Sequence, residues 1–346
     1  MILVSGYYGY QNSGDEGILA VLCQELELLG VQRSEIVVLS GDPAYTTSEH
    51  QVQAIYRYNL AQIVRLMPQI KLLVSGGGSL LQDSTSWRTV PYYLVIIKLA
   101  LSFKIPVVMY AQGIGPVGFV PYQRWIKRIV NQVTKVSVRD PFSAQLLQEW
   151  GVTRADLEIA SDPVFNLAKA SFATKNYLPG ISLNLRPYPL WQQHSAQWSE
   201  IIKYWIEERD WPVYFVPLSP DDLYIGKQIQ QAVPSMELFR PKNWLAAMNF
   251  ISQTKVALTM RLHALIFAAI SGTVPVGLAY DPKIKAIGSQ LRIAVQAPEP
   301  NQRLTPILAN IQENFLPYQI MLQEQVSQLQ ERAGKNRQIL ADCLRN

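Results

Sequence analysis

At 346 residues, 49% of them hydrophobic, the chain has the length for two domains of ordinary size and the material for a core in each. Its 31 Lys and Arg against 26 Asp and Glu leave a net charge of +5. That balance is compatible with an acidic small molecule or an anionic membrane surface, and it lacks the dense basic stripe of a nucleic-acid binder. Cys23 and Cys343 have neither zinc spacing nor a disulfide framework, which fits a reducing cytosol.

The first residues, Met1 to Gly6, enter a strand-like segment without the basic start, apolar stretch and cleavage site of a signal peptide. Strands are expected at Ile2 to Ser5, Ile36 to Ser40, Lys71 to Ser75, Val107 to Ala111 and Lys135 to Val138. Asp15 to Leu29 has apolar residues at helical spacing, so the first strand, its loop and this helix form one βα unit. The longest apolar run, Val90 to Phe103, carries Pro91 and Lys98 and falls short of the roughly 20 residues that cross a bilayer, so it reads as a buried helix. The alternation lapses around Ser161 to Pro179, where a linker is placed. A second series follows, with strands at Ile181 to Leu185, Val213 to Val216, Val256 to Thr259 and Val274 to Leu278. Helices at Ser195 to Glu208 and Asn243 to Ser252 lie between them. The expected division is residues 1–165, residues 176–315, and a Gln-rich helix in 316–346, interrupted near Gly334, for which packing back across the lobes and a solvated or oligomerising helix are both open.

The most informative motif is Met260-Arg261-Leu262-His263-Ala264, where an apolar strand turns into an apolar helix. The carboxyl edge of an open α/β sheet binds ligands because helix amino termini point free N–H groups and partial positive charge there. An arginine beside a titratable imidazole at such an edge suits an anionic substrate that gains or loses a proton. A buried arginine and a core histidine at a helix start would leave the same pattern.

The loop from Gly6 to Gly17 has glycines that let backbone approach a ligand, with Asn12, Asp15 and Glu16 at the helix start, although Ser13 or Asp15 would serve equally as a plain cap. Gly76-Gly77-Gly78 follows a strand and resembles a backbone cradle; whether a ligand or another loop makes the close approach is open. Gly113-Ile114-Gly115-Pro116-Val117-Gly118 matches a dinucleotide fingerprint formally, but Pro116 removes an N–H where pyrophosphate is held and no clear helix start follows at Phe119. Arg139, Arg186 and Lys283 join Arg261 at strand exits, with an Arg139–Asp140 network as the plain alternative for the first. His50 and His194 read as solvated surface, and no metal set can be assembled.

Taken together, the Asn12 to Glu16 core, Ser75 to Asp83, Ala111 to Pro116, Ser137 to Asp140, Met260 to Ala264 and Tyr280 to Lys283 resemble the polysaccharide pyruvyl transferase family, with most likeness to its CsaB branch. Thr259 stands where that family has glycine, and Ala279 where serine is commoner. The resemblance implies two Rossmann-like lobes with mostly parallel sheets facing a cleft, as in GT-B glycosyltransferases. It also implies transfer of the enolpyruvyl group of phosphoenolpyruvate to two hydroxyls of a sugar, with no further cofactor. In the CsaB branch the acceptor is a lipid-linked N-acetylmannosamine saccharide, which implies a cytoplasmic enzyme with peripheral membrane contact. On that footing His263 is the general acid, Asp15 engages the acceptor, and Arg139, Arg261, Lys283 and Arg186 meet the anionic donor. Gly76, Gly77, Gly78, Asn12 and Glu16 line the substrates. A nucleotide-sugar glycosyltransferase on the same fold and a non-catalytic sugar or anion receptor are the competing readings.

Overall fold

The computed structural model describes residues 1–84, 86–167 and 176–345. The chain forms two compact units. One comprises Met1–Tyr10, Asp15–Asn166 and Leu329–Asn346, the other Gln11–Gly14 and Leu167–Gln328. Of the expected linker, residues 168–175 lie outside the described residues.

The first unit runs β1 (Ile2–Tyr8), α1 (Ser13–Leu28), β2 (Ile36–Ser40), α2 (Pro43–His50), β3 (Gln53–Tyr56), α3 (Leu60–Leu66), β4 (Leu72–Ser75), β5 (Gly78–Leu81), α4 (Thr89–Ser102), β6 (Val107–Ile114), α5 (Val120–Val130), β7 (Lys135–Val138), α6 (Pro141–Glu149) and β8 (Leu157–Ile159). Its sheet has the order β3-β2-β1-β4-β6-β7-β8, with β5 paired to β6, and every pairing is parallel. The central strands are mostly apolar because both faces are covered; all five residues of Ile36–Ser40 are buried.

The second unit runs β9 (Leu178–Asn184), α7 (Trp191–Glu207), β10 (Val213–Phe215), α8 (Pro220–Ala232), β11 (Glu237–Leu238), α9 (Trp244–Ile251), β12 (Thr254–Thr259), α10 (Leu262–Ile270), β13 (Val274–Leu278), α11 (Pro282–Leu291), β14 (Val295–Gln296) and α12 (Leu304–Glu313). Its parallel sheet has the order β11-β10-β9-β12-β13-β14, the doubly wound Rossmann arrangement. Trp198, Trp205 and Phe215 are fully buried in its core.

Helix starts are written into the sequence as a cap followed by proline. Asp42-Pro43, Asp140-Pro141, Ser219-Pro220 and Asp281-Pro282 open α2, α6, α8 and α11, each cap accepting a backbone N–H two or three residues on. The last helix, α13 (Phe315–Arg345), passes Gly334 without a break, contrary to the expected interruption. No other atom approaches within 4 Å of where a Cβ on Gly334 would sit, so the glycine costs propensity only. Its Ile339, Leu340 and Cys343 pack in the first unit with Ile2, Leu19 and Cys23. Both cysteines are free and buried, and burial pushes the Cys23 thiol up to about 12. A helix does begin after Gly118, at Val120 with Pro121 in its first turn, again contrary to expectation. Among the described residues no helix is long and apolar enough to cross a membrane.

Candidate functional site

In each unit the strand order reverses beside the first strand, between β1 and β4 and between β9 and β12. Ligands of open α/β sheets bind outside the carboxyl ends of strands at such a switch point. The motifs singled out above cluster at these two places.

In the second unit Asn184 and Thr259, the last residues of β9 and β12, are register partners, and β13 lies next to β12. These neighbouring ends deliver Arg186, Arg261 and Lys283 to one edge. Arg261 is gripped by Asp222 on α8: Nε donates to both carboxylate oxygens at 3.0 Å and Nη2 to Oδ1 at 2.5 Å. Nη2 also donates to Ser219 Oγ. Asp222 is fully buried and takes further hydrogen bonds from Leu218 N and Asn184 Nδ2, while Asn184 Oδ1 accepts from Arg261 N. Such a side-on grip fixes the plane of the guanidinium. Thr259, where the related pattern has glycine, bonds through Oγ1 to the Arg261 carbonyl and braces the turn.

His263 stands in the first turn of α10 and is half-buried. Gly14 lies against its ring, so close that a methyl group there would come 2.0 Å from Nδ1. The segment holding Gly14 is fastened by Ser13 N donating to Leu218 O, and Asn12 Oδ1 accepts from Gly14 N, which makes Asn12 the cap. Arg186 donates through Nη1 to the Tyr280 hydroxyl at 2.6 Å, and its buried Nε has no hydrogen-bond partner among the described residues. Lys283 Nζ is 3.5 Å from Asp281.

In the first unit the close approach at the three glycines is made by the protein itself. A Cβ on Gly76 would meet the Tyr8 hydroxyl, one on Gly77 would meet Ile18, and one on Gly78 would sit 3.1 Å from Asp15 Oδ1. Gly78 and the residues after it form β5, and Gln112 Nε2 holds the Gly78 carbonyl. Asp15 is half-buried beside this strand. Burial, and then the Asp15 carboxylate, raise the pKa of Tyr8 well above its ordinary value. The Tyr8 hydroxyl is buried with no hydrogen-bond partner among the described residues.

Arg139 is buried between Asp140 at 3.4 Å and Asp162 at 3.6 Å, and donates to Ser79 in β5. It packs on Gly113, where a Cβ would come 2.9 Å from the guanidinium, so a side chain there would have to displace the ion-paired Arg139. The network expected as its plain alternative is therefore present, with Asp162 as an added member. Glu16 is buried, accepting from Gly9 N and pairing with His50 at 2.8 Å, so its observed work is to hold the first loop. His50, read from sequence as solvated, is buried for this reason; His194 is half-buried and bonded to Tyr188. In the fingerprint look-alike, Gly118 N and Phe119 N donate to Asp83. Among the described residues no group of His, Cys, Asp and Glu is placed to hold a metal.

Asp222, Asp162 and Tyr8 were not found by sequence reasoning. Asp222 follows a visible Ser-Pro helix start, but its pairing with a residue 39 positions away leaves no local trace.

Two doubly wound parallel sheets define the class: an α/β fold like that of the GT-B glycosyltransferases and UDP-GlcNAc 2-epimerases. HepE of Anabaena, in complex with UDP-glucose, is 12% identical with a TM-score of 0.64, over 99% of this chain and 98% of that one. UDP-GlcNAc 2-epimerase of Neisseria meningitidis, bound to UDP-GlcNAc, is 13% identical with a TM-score of 0.65, over 99% of both chains. A glycosyltransferase of Rickettsia africae is 12% identical with a TM-score of 0.62, over 100% of this chain and 98% of that one. Among curated proteins none matches this chain in sequence. The family model for polysaccharide pyruvyl transferase matches residues 12–282, and the chain belongs to that family.

Proposed function

We propose that this protein transfers the enolpyruvyl group of phosphoenolpyruvate onto two hydroxyls of a glycan, giving a pyruvate ketal and inorganic phosphate. The acceptor in this reading is a lipid-linked saccharide containing N-acetylmannosamine, as in the CsaB branch, and the enzyme works at the cytoplasmic face of the membrane. The observation that carries it is the edge of the second sheet, where Arg261, fixed by Asp222, stands beside His263 with Arg186 and Lys283 on neighbouring strand ends.

The donor has a phosphate and a carboxylate, which such cations neutralise by charge-assisted hydrogen bonds. His263, as imidazolium, gives its proton to the methylene carbon, which becomes the methyl group and leaves positive charge at the central carbon. One sugar hydroxyl then bonds to that carbon, the C–O bond to phosphate breaks, and the second hydroxyl closes the ketal. Of the two hydroxyl protons, one restores the imidazolium and the other leaves with phosphate. Asp15 is assigned to the acceptor hydroxyl. Arg139 acts through Ser79, keeping β5 and its Gly78 in place beside Asp15.

The test is incubation with phosphoenolpyruvate and the lipid-linked disaccharide, reading phosphate release and a product heavier by one pyruvate less water. His263→Ala is expected to lower turnover by about 10²- to 10⁴-fold at saturating donor. Near-normal turnover in that variant would remove the acid from His263. Protection against heating by a uridine nucleotide, without phosphate release, would favour a sugar-nucleotide transferase instead.

A further inference from the structure

The modest overall charge conceals a one-sided stretch. Between Gln51 and Arg139 stand eleven Lys and Arg against a single acid, Asp83, and Asp83 is occupied by the backbone of Gly118 and Phe119. This stretch forms α3, α4 and α5, which together with α6 cover one face of the first sheet and bury Ile63, Ile97 and Ile126 in a common core. α4 packs directly on α5. Away from the core these helices expose Arg65, Lys98, Arg124, Lys127 and Arg128, and Lys104 follows α4. None of these is paired with a carboxylate among the described residues; the neighbouring ion pairs use Lys135 and Arg154. Val64 on α3 and Val95 on α4 are exposed, as are Trp87 and Phe119 just before the starts of α4 and α5, at 43–67%. Arg88 lies over the Trp87 ring, and Tyr122, beside Phe119, bonds to the Trp87 carbonyl, so these aromatic groups are contiguous.

Protein surfaces ordinarily mix charge signs and scatter their large apolar groups. A strip of three helices whose exposed charges are all positive, set with aromatic and aliphatic side chains, matches an anionic lipid surface. Its headgroups attract the cations, and the interface accepts Trp and Phe. A nucleic-acid backbone would use the cations but leave Val64 and Val95 without a role.

We propose that the outer face of α3, α4 and α5 docks on an anionic lipid bilayer. This deepens the preceding reading, in which the acceptor is lipid-linked, yet docking itself needs neither phosphoenolpyruvate nor acceptor.

The full-length protein is to be sedimented with phosphatidylcholine vesicles, with and without phosphatidylglycerol. Binding is expected with phosphatidylglycerol only, and to weaken as salt is raised. Each basic residue near such a surface multiplies affinity roughly fivefold, so Arg124→Glu with Lys127→Glu and Arg128→Glu should bind at least about tenfold more weakly. Should that variant lose its circular dichroism, the pair Lys98→Glu and Lys104→Glu makes the same test on α4. Failure to bind phosphatidylglycerol vesicles, or binding unchanged in both variants, overturns the proposal. So does a lipid-free self-association that the same substitutions abolish, which would give the face to a second copy of the chain. A protein that binds vesicles in this manner yet releases no phosphate from phosphoenolpyruvate supports docking and counts against the transfer reading alone.

Discussion

Asp222 shows how one buried carboxylate sets the geometry of a mostly buried cation. It is fully buried, and its oxygens are taken by Arg261, Leu218 N and Asn184. Removing it takes away the carboxylate that holds the Arg261 guanidinium in a partly buried site, so Asp222→Ala should cost about 3–5 kcal/mol in urea unfolding, the range for breaking a buried ion pair. Ser219→Ala, which removes a helix cap and one bond to Arg261, should cost only about 1 kcal/mol.

Glu25 makes the opposite case. Burial raises its pKa, with hydrogen bonds from Tyr110 and Asn166 pulling the other way. A raised folded pKa means that the protonated carboxyl is the favoured buried form. Its contribution to stability is complete below the ordinary carboxyl range and is lost as pH rises through the raised value. Glu25→Gln should therefore gain on the native protein as pH goes from about 4 to 8, read as the difference in thermal midpoints at each pH. A constant difference would show that the carboxyl does not titrate as burial dictates.

At the scale of elements, the strands and helices that carry the candidate residues were legible. Lys135–Val138, Val274–Leu278 and Leu262–Ile270 fall where apolar runs and periodicity place them. Val274–Leu278 is buried throughout, and only the first residues of Lys135–Val138 and Leu262–Ile270 are part-exposed, so apolar residues run along most of each element. The short strands at Gln53–Tyr56, Leu157–Ile159, Glu237–Leu238 and Val295–Gln296 were not. They lie toward the sheet edges, are less completely buried and carry mixed residues, so neither alternation nor an apolar run marks them. Of the site, the motifs were visible but their partners were not. His50, for example, follows a polar run, and only the fold brings Glu16 to it. The three glycines were rightly singled out for a close approach, but the approaching groups, Tyr8, Ile18 and Asp15, are set by tertiary packing. Gly334 misled in the other direction, because a glycine with open space about its Cβ position in a long helix costs about 1 kcal/mol and does not end it. Gly334→Ala should accordingly raise stability by about 1 kcal/mol, measured as a higher urea midpoint at unchanged slope.

Across the whole molecule, the first unit is completed by residues that follow the second. Ile339, Leu340 and Cys343 lie in its core, Asn336 bonds Ser137 and Ser161, and Arg332 bonds the Ala160 carbonyl. Each buried apolar side chain is worth about 1.5–3 kcal/mol, so their loss is comparable with the net 5–15 kcal/mol that holds a domain. Residues 1–166 expressed alone should show no cooperative melting, and joining them through a flexible linker to residues 329–346 should restore it. A sharp transition in the shorter fragment would disprove this dependence.

The unbroken α13 also bears on how the protein is made. A ribosome emits the eight strands of the first sheet long before the turns of helix that seal one side of them. Until the residues after Gln328 emerge, the nascent chain carries an uncovered apolar surface around Leu19 and Cys23, the kind of surface that exposes a folding chain to aggregation.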